Sequence, residues 1–370
     1  MDLVNKYRPT KLSQVIGQEA AVAILRGTLK QQDDINPVTL FCGPHSTGKT
    51  TLAWLLALYS NCKEPNAKGE ACRKCASCLN IIEAIRSGTN GRSVIEKSVE
   101  ERGIDAIRKL QSQSRYRCQD NDRWFILDEV HNLTPQAFDA ALRLLEKPQG
   151  QTRFVLCTTA PEKLPGTIRS RNWVYTLQAI EPKTTAQRLL WPIVQREKFK
   201  GIDKKAVLEI ARTVNGHPRD ALNLLAMWAA AIEGGTAPED VPRLMKTVEA
   251  VQPYVAIQQY CKGILTGKLK LAFKALQHCG HHEYFVGQTL ELLREVLYRW
   301  MSHEHFSRPQ YDRDMQAIDP PGTGNIRALG RALEILLDAQ DRIKQYRCDN
   351  QAVLESATIE VVALLQKVSG

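Results

Sequence analysis

A chain of 370 residues can bury two or three separate cores, and 43% hydrophobic with 24% charged residues is ordinary for a folded soluble protein, which excludes fibrous and largely disordered classes. The formal net charge of +10 points to an anionic partner, nucleic acid foremost, although Lys and Arg are spread along the chain without a polybasic tail. The start Met1-Asp2-Leu3-Val4-Asn5-Lys6 lacks the apolar core of a signal peptide and no later stretch can span a bilayer, so a cytoplasmic protein without a membrane partner is expected, its ten cysteines read as metal ligands or small buried residues instead of disulfides.

The opening Lys6-Tyr7-Arg8-Pro9 and Val15-Ile16-Gly17-Gln18-Glu19 read as a loop leading into an amphipathic helix, Ala20 to Leu29. Next, the β-branched apolar run Val38-Thr39-Leu40-Phe41-Cys42 predicts a buried strand. It ends on Gly43-Pro44-His45-Ser46-Thr47-Gly48-Lys49-Thr50-Thr51, which carries the spacing G-x-x-x-x-G-K-T of a phosphate-binding loop. Gly43 and Gly48 allow turn conformations in which successive N–H groups face one concavity, and the following helix adds its positive N-terminal end. Lys49 is expected to reach the β- and γ-phosphates of a nucleotide, and the Thr50 hydroxyl to ligate the bridging Mg²⁺. That helix, from Lys49 through Tyr59, is apolar on nearly every side and should be buried.

Cys62, Cys72, Cys75 and Cys78 follow in the pattern C-x₉-C-x₂-C-x₂-C. Four thiolates in a short segment suit a structural Zn²⁺, and a full sulfur set leaves no open position for catalysis. The isolated Cys42, Cys118, Cys157, Cys261, Cys279 and Cys348 are read as small buried apolar residues. Arg92–Glu96 predicts a second strand, and Arg102 to Leu110 a helix with a stripe at Ile104, Ile107 and Leu110.

Arg123-Trp124-Phe125-Ile126-Leu127-Asp128-Glu129 has the form of a buried parallel strand delivering carboxylates to a crevice at its carboxyl end. Asp128 is expected to hold Mg²⁺ through its water shell, and Glu129 to polarise the water that attacks the γ-phosphate. Gln136 to Glu146 is a helix with Phe138, Ala141, Leu142 and Leu145 on its buried face; Phe154–Thr159 and Trp173–Leu177 are further strands, separated by Arg169 and Arg171. Strands alternating with helices predict a doubly wound α/β sheet.

Beyond Glu181-Pro182 the strand signals largely disappear. Helices are expected over Thr184–Lys198, Lys204–Val214 and Pro218–Glu233, then a short helix after Gly234-Gly235-Thr236-Ala237-Pro238, with helical sequence again from about Ala250 onward. The stripes Tyr254, Ile257, Tyr260, Cys261, Ile264 and Val286, Leu290, Leu293, Leu297 are core faces; His278, His281, His282, His303 and His305 are surface or packing histidines.

Together these motifs resemble the ATPase subunit of the bacterial DNA polymerase III clamp loader, gamma/tau type, a member of the AAA+ ATPases. The match runs through Tyr7-Arg8-Pro9, Val15-Ile16-Gly17-Gln18-Glu19, the phosphate loop, the four-cysteine insert, Arg102-Gly103-Ile104-Asp105, Asp128-Glu129-Val130-His131, Thr158-Thr159, Ser170-Arg171 and Gly216-His217-Pro218-Arg219. Beyond these, only helical character matches.

The resemblance implies an AAA+ P-loop core with a parallel sheet and helices on both faces over residues 1–178, carrying a zinc insert near 62–80. A helical lid over 179–243 and a helical collar over 244–370 would follow. It implies ATP, Mg²⁺ and Zn²⁺ as ligands, and adds roles that spacing cannot supply. Thr159 falls at sensor 1, Arg171 on the arginine finger acting on a neighbouring subunit's ATP, and Arg219 on sensor 2. Arg8, with Val15, Ile16 and Gly17, lies in the stretch lining the adenine pocket. The implied partners are other loader subunits in a hetero-pentamer joined through collar and AAA+ interfaces, a sliding clamp, and primer–template DNA bound without sequence specificity. The helix near Arg102 and Arg108 is a candidate DNA contact. The implied function is ATP-driven clamp opening and loading; the alternatives are a non-hydrolysing structural subunit, like delta-prime, and another AAA+ DNA motor such as a helicase.

Three residues depart from the family pattern: Ser46 where glycine is usual, His45 beside it, and Asn172 where cysteine follows the finger. Ser46 is expected to stiffen the loop and slow nucleotide exchange, Asn172 to affect packing only. A chain ending at Gly370 is expected to be the short gamma-type form, without the helicase- and polymerase-binding domains of the long form, from a phage or a compact genome.

Overall fold

The computed structural model describes residues 2–30, 36–66, 70–98, 104–114, 122–146, 151–241, 252–277, 285–287, 289–290, 292–294, 296, 323–345 and 350–369. Two compact units divide the chain, one of Met1–Ile180 with His217–Ala226, the other of Glu181–Gly216 with Met227–Gly370.

In the first unit, α1 (Leu3–Lys6) and α2 (Glu19–Lys30) precede β1 (Val38–Cys42), and α3 (Lys49–Ser60) and α4 (Ala76–Ser87) precede β2 (Val94–Ser98). Then come α5 (Ile104–Ser114), β3 (Arg123–Asp128), α6 (Pro135–Glu146), β4 (Thr152–Thr158), α7 (Gly166–Arg171) and β5 (Trp173–Thr176). The strands form one parallel sheet in the order β2-β3-β4-β1-β5.

Alternation along each strand splits the core between the two faces. Phe41, Trp124, Ile126, Val155, Cys157 and Tyr175 pack with residues of α2, α3 and α4, whereas Leu40, Cys42, Phe125, Leu127, Phe154 and Leu156 pack with α5, α6 and α7. Helices therefore cover both faces, as the sequence predicts. Helix α3 lies on the first of these faces with nine buried residues, from Lys49 to Tyr59, and burial on nearly every side follows from its apolar composition.

Because all strands are parallel, their carboxyl ends lie on one side. The order brings β3, β4 and β1 together, with Cys42 beside Thr158 and Leu127 beside Leu156 in register. The segments that leave these three strands carry the loop, the acidic pair and Thr159, which gathers them at one crevice.

The second unit begins with α8 (Pro182–Thr185), a π-turn at Ala186–Leu190, α9 (Trp191–Glu197) and α10 (Lys204–Thr213), capped by the Asp203 carboxylate accepting the Ala206 N–H at 2.7 Å. Helix α11 (Pro218–Glu233) starts in the first unit. The remaining described helices are α12 (Gln252–Leu265), α13 (Leu269–Leu276), α14 (Thr323–Gln345) and α15 (Asn350–Ser369). Their core contains the expected stripe residues Ile257, Tyr260, Cys261, Ile264, Val286, Leu290 and Leu293. Within it the Tyr260 and Thr358 hydroxyls share a buried hydrogen bond of 2.7 Å. The Tyr254 side chain, Leu297, Cys118, Cys279, Cys348, and His278, His281, His282, His303 and His305 lie outside the described residues. Among the described residues no helix is long and apolar enough to cross a membrane.

Candidate functional site

The loop after β1 is shaped by its glycines. Gly43 has φ +145°, and a Cβ there would lie 2.4 Å from the Leu177 carbonyl oxygen, so only glycine fits. Its N–H donates to the Thr158 carbonyl at 3.2 Å, fixing the loop to β4. The Lys49 ammonium, at the first position of α3, folds back to donate to the carbonyls of Gly43 (2.9 Å) and Pro44 (2.8 Å). The Thr47 hydroxyl donates to the same Pro44 carbonyl at 2.9 Å. Burial pushes the Lys49 pKa down, against the opposing pull of Glu129, Cys157 and Asp128. A buried ammonium held by neutral carbonyls, at the positive end of a helix, is suited to taking anionic phosphate oxygens as partners.

Opposite it, the Thr50 hydroxyl donates to the Asp128 carboxylate at 2.9 Å. These oxygens come from α3 and the end of β3, and an adjacent hydroxyl and carboxylate suit a hard cation such as Mg²⁺. Glu129 has φ +51°, in the left-handed region, and its N–H donates to Asp128 at 3.0 Å. The turned backbone sends the two carboxylates of a consecutive pair to different tasks. Glu129 Oε2 accepts the Thr159 hydroxyl at 3.1 Å and lies 3.2 Å from His131 Nδ1, while Oε1 lies 3.7 Å from His45 Nδ1. His131 Nδ1 also lies 3.1 Å from the Thr158 hydroxyl. Burial lowers the His131 pKa, against the raising effect of Glu129. A carboxylate held at its tip by hydroxyl and imidazole groups can accept a proton from, or orient, a water molecule.

The approach to the loop is tied by Gln18, a buried side chain. Its amide donates to the carbonyls of Thr47 (3.3 Å) and Gln178 (2.7 Å) and accepts the Gln178 N–H at 3.1 Å. Gly17, at φ +68°, brings its backbone against Ile180; a Cβ there would lie 3.0 Å from Ile180 Cγ2. Val15 packs on the core, and Ile16 is half-buried between them. Arg8 lies 3.7 Å from Glu96, which also accepts the Trp54 indole N–H. Burial pulls the Arg8 pKa down, with Glu96 and Asp128 raising it and Arg219 lowering it, so Arg8 shares the electrostatic field of the crevice.

Helix α11 enters the same crevice through its backbone, the Arg219 N–H donating to the Ser46 hydroxyl oxygen at 3.1 Å. Arg171 ends α7, and its side chain lies outside the described residues. Asn172 donates to the Ile168 carbonyl at 2.6 Å and so satisfies an end carbonyl of that helix.

The four sulfurs of Cys62, Cys72, Cys75 and Cys78 lie within 4.8 Å of one another. Four sulfurs each about 2.3 Å from one ion stand about 3.8 Å apart in a tetrahedron. Cys72 and Cys78 sulfurs are 3.9 Å apart, which fits Zn²⁺. Backbone N–H groups of Lys74 and Cys75 donate to Cys72 Sγ and lower its pKa to about 6, favouring the thiolate. Burial pushes the Cys62 and Cys78 thiols up, so those two would ionise with the metal. Cys42, Cys157 and Cys261 are buried among apolar residues, as the sequence predicts.

A family profile described as DNA polymerase III, delta subunit, matches residues 17–181. The DNA polymerase III subunit gamma/tau of Mycobacterium tuberculosis H37Rv is 34% identical over 227 residues, covering 61% of this chain and 38% of that protein. The tau subunit of Bacillus subtilis is 31% identical over 299 residues, 80% of this chain and 47% of that protein. This chain is similar to the bacterial gamma/tau subunits. It spans less than half of the length of those two relatives. Among solved structures, the Thermotoga maritima RuvB Holliday junction branch migration motor aligns with a TM-score of 0.50 at 19% identity, covering 70% of this chain and 79% of that one. That likeness is one of fold alone.

The structure brings together the loop Gly43 to Thr51, Asp128, Glu129, Thr159 and the backbone of Arg219, with Arg8 in their electrostatic field, and sets Gly17 against Ile180. Arg102 lies outside the described residues, and Arg108 stands on α5. Sequence reasoning assigned no role to Gln18, Glu96 or His131. Gln18 and Gln178 are 160 positions apart, and no local pattern announces such a contact. For His131 a signal existed, its place two residues after Glu129.

Proposed function

We propose that this chain is the ATP-hydrolysing motor subunit of a DNA sliding-clamp loader. The single observation that carries the reading is the convergence of Lys49, the Thr50–Asp128 pair and a Glu129 held by Thr159 at one crevice. Loop amides and Lys49 bind the phosphates of ATP; Thr50 and Asp128 hold Mg²⁺, which when bound neutralises charge on the phosphate oxygens. Glu129 orients the attacking water and takes its proton, with Thr159 fixing the carboxylate. Arg219 reaches the nucleotide from α11, Arg8 with Val15 to Gly17 lines the base pocket, and Arg171 serves the ATP of a neighbouring subunit. Cys62, Cys72, Cys75 and Cys78 hold a structural Zn²⁺.

In this reading residues 179–243 act as a lid and 244–370 as a collar through which a hetero-pentamer assembles in the cytoplasm. ATP binding between neighbours drives the grip on a sliding clamp and on primer–template DNA, whose phosphates meet basic side chains such as Arg108. Hydrolysis releases the clamp. A second reading, a non-hydrolysing structural subunit, is favoured by the delta-subunit description of the matching profile. The intact Lys49, Thr50, Asp128 and Glu129 argue against it. Co-purification with candidate clamp and loader subunits, followed by ATPase assay, separates the readings. Turnover stimulated only when clamp and primed DNA are both present supports the motor; absent turnover favours the structural subunit, and strand separation without a clamp favours a helicase.

A further inference from the structure

Ser46 combines two features that the nucleotide reading leaves unexplained. Its φ of +61° lies in the left-handed region, which a glycine occupies freely and a side chain bearing a Cβ rarely adopts. Its hydroxyl oxygen accepts the backbone N–H of Arg219, 173 positions away, at 3.1 Å. Arg219 is the second residue of α11, so this N–H is one of the donors that a helix leaves without an internal partner. An N-cap side chain normally supplies that acceptor from the adjoining residue. The residue next to Pro218 on its N-terminal side is His217, whose Nδ1 instead lies 3.6 Å from Asp220. Here the acceptor comes from the phosphate loop.

We propose that Ser46 is a positioning residue for Arg219: its hydroxyl caps α11 from the phosphate loop and holds the start of that helix, with the Arg219 side chain, against the nucleotide site before ligand arrives. The inference rests on the ATP-binding reading and deepens it. The accepting oxygen keeps its own O–H, so capping α11 leaves it able to donate to an anion in the loop. Ser46 would then link the loop's occupancy to the placement of α11, which a glycine cannot do.

The test is a double-mutant cycle on the full chain, read by titrating a fluorescent ATP analogue with Mg²⁺ and by hydrogen exchange of the peptide 217–226. Ser46→Gly relieves the backbone and removes the acceptor; it should weaken nucleotide binding about 2- to 10-fold, the worth of one ordinary hydrogen bond. It should also speed exchange at the start of α11 without lowering the melting temperature. Ser46→Asn, which tolerates the left-handed region and carries a carbonyl acceptor, should bind within about twofold of the wild type. In an Arg219→Ala background, Ser46→Gly should cause a smaller loss than in the wild type. Unchanged binding and exchange in Ser46→Gly, or a full loss that persists without the Arg219 side chain, overturns the proposal. A wild-type chain that binds no ATP analogue overturns the nucleotide reading, and the proposal with it.

Discussion

Replacing Gly43 with alanine tests the shape of the phosphate loop directly. The new Cβ would lie 2.4 Å from the Leu177 carbonyl oxygen and 3.1 Å from its carbon, at a φ of +145°. Neither obstacle is a flexible side chain, so the backbone must move. Moving it strains or breaks the bond from Gly43 N–H to Thr158 (3.2 Å) and that from Leu177 N–H to Cys42 (2.7 Å). Strained backbone costs about 1–3 kcal/mol and each bond about 1 kcal/mol, so the loss should be about 2–5 kcal/mol. For a unit of this size that lowers the melting temperature by roughly 5–20 °C. Gly48→Ala is the control. A Cβ at Gly48 meets nothing within 4 Å, and only its φ of +98° opposes substitution, at about 1–2 kcal/mol. Thermal unfolding followed by circular dichroism compares the two. Gly43→Ala melting within about 2 °C of wild type, or Gly48→Ala losing as much, refutes the packing argument.

Zinc analysis of the purified protein should find one ion per chain, and Cys78→Ser, at a fully buried sulfur, should lose it and lower the melting temperature; an unchanged metal content contradicts the four-cysteine site. Because burial depresses the His131 pKa below 6.5, the unfolded chain takes up this proton first. The contribution of His131 to stability is therefore complete above 6.5 and lost as pH falls from there toward the folded-state value; His131→Asn should flatten the acid-side fall in melting temperature, and equal slopes would contradict the assignment. Arg171→Ala should leave ATP binding intact while slowing hydrolysis in the assembled complex about 10³-fold; lost binding would give Arg171 a different role.

The loop, the buried helix behind it and the acidic pair were legible because each depends on a short pattern, a strand ending in glycine or in carboxylates. Helix α11 was legible to its last residue, from Pro218 at its start to the glycine pair after Glu233. Where local signals competed with pairing, boundaries moved. The strand expected at Arg92–Glu96 lies at Val94–Ser98, because Arg92 is held in a turn by Asn80 and register is set by pairing of Val94 with Trp124. The helix expected over Thr184–Lys198 contains a π-turn at Ala186–Leu190, which ends two residues before Pro192. Proline lacks an N–H and crowds the carbonyl four residues earlier, here that of Arg188, and a widened turn relieves the clash. Strand β4 stops at Thr158, one residue short of expectation, which leaves the Thr159 hydroxyl at Glu129. The ties of Gln18 to Gln178 and of Ser46 to Arg219 were illegible, since they join segments that only the folded sheet brings together.

Counting clamps retained on primed circular DNA after gel filtration decides whether hydrolysis at this site leaves a clamp on DNA. The comparison is between complexes carrying the wild-type chain and complexes carrying Glu129→Gln. The wild-type complex should leave closed clamps on the circle and depart, whereas the Glu129→Gln complex should bind ATP, clamp and DNA and stay with them. Clamp deposition and release by Glu129→Gln at the wild-type level, or none by the wild type, would contradict that role of hydrolysis.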